Sequence, residues 1–151
     1  MKYPKITIIT ISYNSALTIR KTIESIINQS YKNKEYIIID GNSSDGTQNI
    51  VNEYKEQIDI FISEKDKGIS DAFNKGITYA TGDLIVCINS NDYLLPNSLN
   101  EVAKQYEEQI DLFCGNLLLW DPNTNYRCVI QPSLNFPKMP FCVSLIIKDY
   151  L

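Results

Sequence analysis

A chain of 151 residues with 44% hydrophobic residues has the size and composition of one globular domain with its own core. The formal net charge of -4 argues against a nucleic-acid binder, which carries a basic patch or stripe. No stretch reaches ~18 consecutive apolar residues, so no transmembrane helix is expected.

Met1-Lys2-Tyr3-Pro4-Lys5 leads into only a short apolar run and shows no small-residue cleavage site, so it does not read as a signal peptide. The default expectation is a cytoplasmic protein. Cys87, Cys114, Cys128 and Cys142 fit no zinc spacing and are expected as free thiols in a reducing compartment. Histidine is absent, so ionic chemistry falls to carboxylates, lysine, arginine or tyrosine.

Ile6 to Ile11 is a β-branched run and predicts a buried strand. Ser12-Tyr13-Asn14 interrupts it, and Ser15 is placed to cap a helix through its hydroxyl. Ala16, Ile19, Ile23, Ile26 and Ile27 give that helix one apolar face. Tyr36 to Ile39 predicts a second strand ending in Asp40. The segment from Gly41 to Thr47 is rich in Gly, Asn and Ser and predicts a turn. A short helix marked by Ile50, Val51 and Tyr54 and a strand from Ile58 to Ile62 follow.

Ser63 to Gly68 reads as a charged loop. Ile69, Ala72, Phe73, Ile77 and Ala80 predict an inward helical face, with Gly82 ending the helix. Leu84 to Ile88 is the fourth strand, running directly into Asn89-Ser90-Asn91-Asp92. Pro96 is expected as the first residue of another helix, with Leu99, Val102, Ala103 and Tyr106 inward. Beyond Asp111 the pattern changes. Leu112 to Cys114 and Leu117 to Trp120 predict strands, and Tyr126 to Ile130 is placed to pair back across the Asp121–Asn125 turn.

The alternation predicts an α/β fold: a mostly parallel sheet flanked by helices in three α/β/α layers, with a small antiparallel element near the C-terminus. Ligands bind such sheets outside the carboxyl ends of the strands. Ser12–Asn14, Asp40–Thr47, Ser63–Gly68 and Asn89–Asp92 are the polar clusters placed there. Asp40 can accept hydrogen bonds from a base or ribose, or cap its own turn. Asp92 can hold Mg²⁺ or Mn²⁺ together with a diphosphate, or cap the Tyr93-Leu94 turn. Lys67 suits a base, ribose or phosphate, or plain solvation, and Asn74 sits at the edge of its helix's apolar face. Neither the dinucleotide fingerprint nor a Walker loop is present.

Tyr13-Asn14, Gln29-Ser30-Tyr31, Asp40 to Thr47, Asp66 to Gly76, and Gly82-Asp83 ahead of Asn89-Ser90-Asn91-Asp92 together resemble the family 2 glycosyltransferases of the GT-A fold, over roughly Ile6 to Trp120. The resemblance implies an inverting transfer of a sugar from a nucleotide diphosphate donor, often UDP-linked, to an acceptor hydroxyl, in bacterial cell-surface polysaccharide synthesis. It places Ile11, Ser12 and Tyr13 beside the nucleobase, Asp40 on the base, and Asp66 and Lys67 near the nucleoside. Asn74 is a further candidate at the cleft. Asn91 and Asp92 match the family's metal and diphosphate site, with Asp92 as principal ligand of Mg²⁺ or Mn²⁺. Asparagine at position 91 is a departure that removes one charge.

The resemblance also divides the chain into a nucleotide-sugar-binding core, residues 1–130, and an incomplete start of the acceptor-side region, residues 131–151. Family members run longer, so the chain is expected to be C-terminally truncated. Asp121 and Asp149 are poor candidates for a catalytic base, and no catalytic residue is assigned. The partners implied are a UDP-sugar and a sugar or lipid-linked saccharide acceptor, the latter at the inner face of a membrane. A homodimer through Phe141 to Ile147 is also open. Two other readings remain: a non-catalytic nucleotide-binding remnant and, less favoured, a nucleotidyltransferase.

Overall fold

The protein's structure is a computed structural model; it describes residues 3–107 in full and the backbone of residues 117–121, 126–130 and 148–149. Four strands and four helices alternate: β1 (Ile6–Ser12), α1 (Ile19–Ile27), β2 (Lys34–Asp40), α2 (Thr47–Glu53), β3 (Ile60–Ser63), α3 (Ile69–Tyr79), β4 (Leu84–Asn89) and α4 (Ser98–Lys104). The strands form one parallel sheet in the order β3-β2-β1-β4. Every residue of β1 is buried, because helices cover both faces of a sheet whose strand crossovers are helical.

The period-two pleat sorts the isoleucines into two cores. Ile6, Ile8, Ile38 and Ile88 pack with Ile19, Ile23 and Ile26 of α1, Val51 of α2 and Leu99 of α4. Ile9, Ile11, Ile37 and Ile39 pack with Ala72 of α3 on the other face. The layering is therefore α/β/α, as the sequence pattern predicts. A second, small sheet contains β5 (Leu117–Asp121), antiparallel β6 (Tyr126–Ile130) and β7 (Lys148–Asp149), which runs parallel to β5. The hairpin is the one expected; the pairing of β7 was not foreseen. Leu112 to Cys114, the turn residues 122–125 and the run Phe141 to Ile147 lie outside the described residues.

Several boundaries differ from expectation. Ser15 does not cap α1 with its hydroxyl. Its carbonyl accepts from the amides of Thr18 and Ile19, and α1 begins a turn later. Pro96 lies two residues ahead of α4, whose N-cap is Asn97 with φ 66°. In α3, Ile69 and Ile77 face solvent while Ala72 and Gly76 face the sheet. A Cβ at Gly76 would collide with Ile9 Cγ2; that close approach turns the small-residue edge of the helix inward. Gly82 does not end α3, which closes at Ala80. A Cβ there would lie 2.7 Å from the Lys5 carbonyl and the Thr7 amide, so this glycine lets the chain enter β4 against the start of β1.

At that amino edge of the sheet Glu35 joins three segments. It accepts from Lys5 Nζ at 2.8 Å, Thr7 Oγ1 at 2.7 Å, Thr81 Oγ1 at 2.6 Å and the Thr81 amide at 2.9 Å. Burial by itself raises this carboxyl's pKa, but the hydrogen bonds from Lys5, Thr81 and Thr7 outweigh it and hold the group down to about 2. A depressed carboxyl stabilises the fold fully above its unfolded pKa, and the benefit disappears as pH falls through the folded value. The shift corresponds to stability on the order of 3 kcal/mol. Denaturant unfolding of wild type should therefore weaken between about pH 4.5 and 2, and Glu35→Gln should remove most of that slope while lowering stability at neutral pH. Equal slopes in the two proteins would contradict the assignment.

Candidate functional site

Ser12, Asp40 and Ser63 end β1, β2 and β3 side by side in register. The Asp40 carboxylate is 0% exposed. Its Oδ1 accepts from Ser12 Oγ at 2.9 Å and from Ser43 Oγ at 2.5 Å; its Oδ2 accepts from the Ser43 amide at 2.8 Å and Ser63 Oγ at 2.7 Å. All four lone-pair directions are used. A buried carboxylate is tolerable only with such donors, and here they fix the carboxyl ends of three strands to one point.

The loops above that point are stitched together. The Gly41 amide donates to the Ser12 carbonyl at 2.8 Å and the Asn14 amide to Ser43 Oγ at 2.8 Å. The Ser44 amide returns to Asn14 Oδ1 at 3.0 Å, the Ser15 amide reaches Thr47 Oγ1 at 2.8 Å, and the Ala16 amide reaches Asp45 Oδ2 at 2.9 Å. Asn14 and Asn42 take positive φ, 47° and 64°, a region asparagine enters more readily than other side chains. The result is a rigid shelf that holds the Tyr13 ring 67% exposed. A Cβ on Gly41 would lie 2.8 Å from Asp66 Oδ2 and 3.2 Å from Tyr13 Cδ2, so Gly41 is the gap across which ring and carboxylate face each other. Asp66 is held in turn by the Gly68 amide, which donates to Oδ1 at 2.8 Å.

Strand β4 lies on the other side of β1 from β2. The chain order therefore reverses between β1 and β4, and a crevice opens where their loops leave in different directions. It is a cavity of about 440 Å³, lined by Ile11 to Tyr13 and Ser15 of the β1 end, Asp66, Gly68, Ile69 and Ala72 around the start of α3, and Asn89 to Asn91 of the β4 end. Ser15 Oγ and Ser90 Oγ, 2.6 Å apart, join the two sides.

Of the residues expected here, Ile11, Ser12, Tyr13, Asp66 and Asn91 line this one cavity. Asp40 sits behind it, and a base N–H reaches its carboxylate only if one of the four present donors gives way. Lys67 and Asn74 are exposed and do not line the cavity. The Lys67 amide is engaged by Asp71 Oδ2 at 3.0 Å. Asp92 is 0% exposed; its amide closes a turn onto the Asn89 carbonyl at 3.1 Å, and its Oδ2 accepts from Asn89 Nδ2 at 2.9 Å. Asn89 and Ser90 also line the cavity, and sequence reasoning assigned no site role to Ser15, Ser43 or Ser63. The only local signal for the last is a small hydroxyl directly after an isoleucine-rich strand.

The divalent-cation site expected from the sequence uses one carboxylate, Asp92, with a diphosphate supplying the other ligands. Among the described residues no group of three or more His, Cys, Asp or Glu side chains is arranged to hold a metal ion. Asp92 is fully buried and is not one of the lining residues, and the β4 end shows the cavity two amides and a hydroxyl. Asp66, the carboxylate among the lining residues, lies at the far end beside Tyr13.

A sequence profile of glycosyl transferase family 2 matches residues 7–140. The putative glycosyltransferase EpsE of Bacillus subtilis is 34% identical over 155 residues, covering 95% of this chain and 56% of that protein. The UDP-Glc:alpha-D-GlcNAc-diphosphoundecaprenol beta-1,3-glucosyltransferase WfgD of Escherichia coli is 31% identical over 129 residues, covering 84% of this chain and 51% of that protein. The chain thus spans about half the length of these relatives. The mannosyltransferase PcManGT from Pyrobaculum calidifontis, solved in complex with GDP-Man and Mn²⁺, superposes with a TM-score of 0.66 at 22% identity, covering 83% of this chain and 38% of that one. That similarity establishes the shared fold.

Asp40→Ala removes the acceptor of four donors and should destabilise the protein by roughly 3 kcal/mol or more, while Ser63→Ala, which removes one donor at the edge of the cluster, should cost about 1 kcal/mol. Urea unfolding of the two variants measures both. Equal, small losses would show that Asp40 is not the point that joins the strand ends.

Proposed function

The chain belongs to glycosyl transferase family 2, and on that premise we propose that its cavity binds the nucleotide part of a nucleotide-sugar donor, UDP-linked first of all. The sugar passes, with inversion at the anomeric carbon, to an acceptor hydroxyl on a bacterial cell-surface polysaccharide precursor. The observation that carries this reading is the convergence of three separate strand-end loops on one crevice at the sheet's switch point. The named activity of WfgD, which uses UDP-Glc and a diphosphoundecaprenol-linked acceptor, supports both the donor class and a lipid-linked saccharide as acceptor. We infer with it that the protein works in the cytoplasm at the inner face of the membrane.

In this reading the nucleobase lies against the exposed ring of Tyr13, a flat apolar face on a fixed shelf. Asp66, across Gly41 from that ring, accepts from ribose hydroxyls. The diphosphate runs toward the β4 end and the start of α3, whose amides carry partial positive charge. Ile11 and Ala72 form the apolar floor between the two ends. An inverting transfer needs a base at the acceptor hydroxyl. Asp66 is at the nucleoside end, so the base belongs to residues outside this lining. Residues 1–130 form the donor core and residues 131–151 the start of the acceptor side. Because Asp66 is the carboxylate of the lining, nucleotide binding without transfer is the second reading, separated from the first by turnover of a bound donor.

Calorimetry of the chain against UDP, UDP-glucose and GDP-mannose tests the donor site. At least one should bind, and Tyr13→Ala should weaken that binding roughly tenfold, the loss expected for a stacked base. Failure of every nucleotide to bind sinks the proposal. Gly41→Ala supplies a second check, since its Cβ displaces the Asp66 carboxylate and crowds the Tyr13 ring. Affinity should fall several-fold while the melting temperature stays near that of wild type; unchanged affinity would place the nucleoside elsewhere.

A further inference from the structure

We propose that Thr22 is a positioning residue for the donor site: from inside α1 it acts through the Ser90 carbonyl to fix the backbone that the β4 end shows to the cavity. The proposal rests on the donor-site reading above and concerns what holds one wall of that site in place.

Thr22, Ser25 and Gln29 follow one another at helical spacing along α1 and just past its end. They form a polar row beside the apolar face of Ile19, Ile23 and Ile26. Thr22 is 1% exposed and Gln29 3%. The row grips the backbone of the segment between β4 and α4. Thr22 Oγ1 donates to the Ser90 carbonyl at 2.9 Å. Ser25 Oγ accepts the Leu94 amide at 3.1 Å. Gln29 Nε2 donates to the Leu95 carbonyl at 2.9 Å, and Gln29 Oε1 accepts the Leu99 amide at 3.3 Å. These contacts are not equivalent. The Ser25 hydroxyl donates to the Thr22 carbonyl of its own helix at 2.7 Å, the local bond common for a hydroxyl in a helix. Thr22 directs its proton across to the β4 turn instead. Of Ser90, Leu94, Leu95 and Leu99, only Ser90 lines the cavity.

The Ser90 carbonyl and the Asn91 amide share one peptide plane, and no described peptide bond is cis. In a planar trans peptide the C=O and N–H point in opposite directions. With its carbonyl drawn to α1, this peptide turns the Asn91 N–H away from α1. Helix α1 packs on one face of the sheet and α3 on the other. The cavity opens on the α3 side, where Gly68, Ile69 and Ala72 line it. Ser90 is thus held at both its side chain, by Ser15, and its carbonyl, by Thr22. A peptide that loses its carbonyl partner is free to swing, and the direction of its N–H swings with it. That loss falls on the phosphate end of the donor. The nucleoside end is held separately, through the Asn14 amide on Ser43 and the Gly68 amide on Asp66.

The test is UDP binding by calorimetry and uridine binding by ligand-observed NMR titration, both with the full chain in Mg²⁺ buffer. Thr22→Val keeps the side chain's shape and removes its hydroxyl. It should weaken UDP binding about five- to tenfold and leave uridine within about twofold of wild type, because uridine lacks the phosphates that reach the β4 end. Thr22→Ala should show the same split. Thr22→Ser, which restores the hydroxyl, should return UDP affinity to within about twofold of wild type. Ser25→Ala is the structural comparison. It removes the Leu94 contact from the same row, so the melting temperature should fall while UDP affinity stays within about twofold of wild type. Unchanged UDP affinity in Thr22→Val and Thr22→Ala overturns the proposal. An equal loss for UDP and uridine does so too, as does a loss in Ser25→Ala as large as in Thr22→Val. Each of those results leaves the donor-site reading standing. Absence of UDP binding to wild type overturns that reading and this inference together.

Discussion

One buried carboxylate sets the geometry on which the rest depends. Asp40 ends the central run of isoleucines in β2, and its two oxygens collect donors from the ends of β1 and β3 and from the loop that leads to α2. Taking a carboxylate out of water is costly unless its acceptors are filled. The donors must therefore stay, and with them the loops that carry them. A site assembled on this point inherits the rigidity of the sheet, although most of its residues lie in turns.

A second consequence follows from strand order. β1 is flanked by β2 on one side and β4 on the other, so its exit loop is common to both halves of the sheet. The Asp40 cluster fixes that loop on the β2 side, and the Ser15–Ser90 contact fixes it on the β4 side. Tyr13 stands between them. At the opposite edge Glu35 performs a similar joining task with Lys5, Thr7 and Thr81. The sheet thus carries a buried or half-buried carboxylate near each end: one ties strands for stability, the other ties strands and shapes a cavity.

Much of this was legible in the residues. Continuous β-branched runs such as Ile6 to Ile11 and Tyr36 to Ile39 mark strands covered on both faces, and their order with the intervening helices gives the layers. The cluster of Ile11, Ser12, Tyr13, Asp66 and Asn91 around one cavity follows from placing every polar interruption at a strand's carboxyl end. Burial of individual side chains was not legible, because it is decided by contacts far away in sequence. Asp92 stands beside Asn91 in the sequence, yet in the turn that Asn89 closes it is fully buried while Asn91 lines the cavity. Ile69 and Ile77 have helical spacing for a core face, yet the fit of Gly76 against Ile9 rotates α3 and leaves Ile69 66% exposed. Ser43 and Ser63 carry no local mark of their role, since the partner that gives them one lies three residues away in the first case and 23 in the second.

The most direct measurement is a crystal structure of the chain grown with UDP. The expected result has the uracil ring on Tyr13, the diphosphate within hydrogen-bonding reach of Asn91, and the Ser12, Ser43 and Ser63 hydroxyls still gathered around Asp40. Nucleotide seated instead in the hollow between Lys21, Asn28, Tyr93 and Pro96, with the crevice between β1 and β4 left empty, would contradict the account.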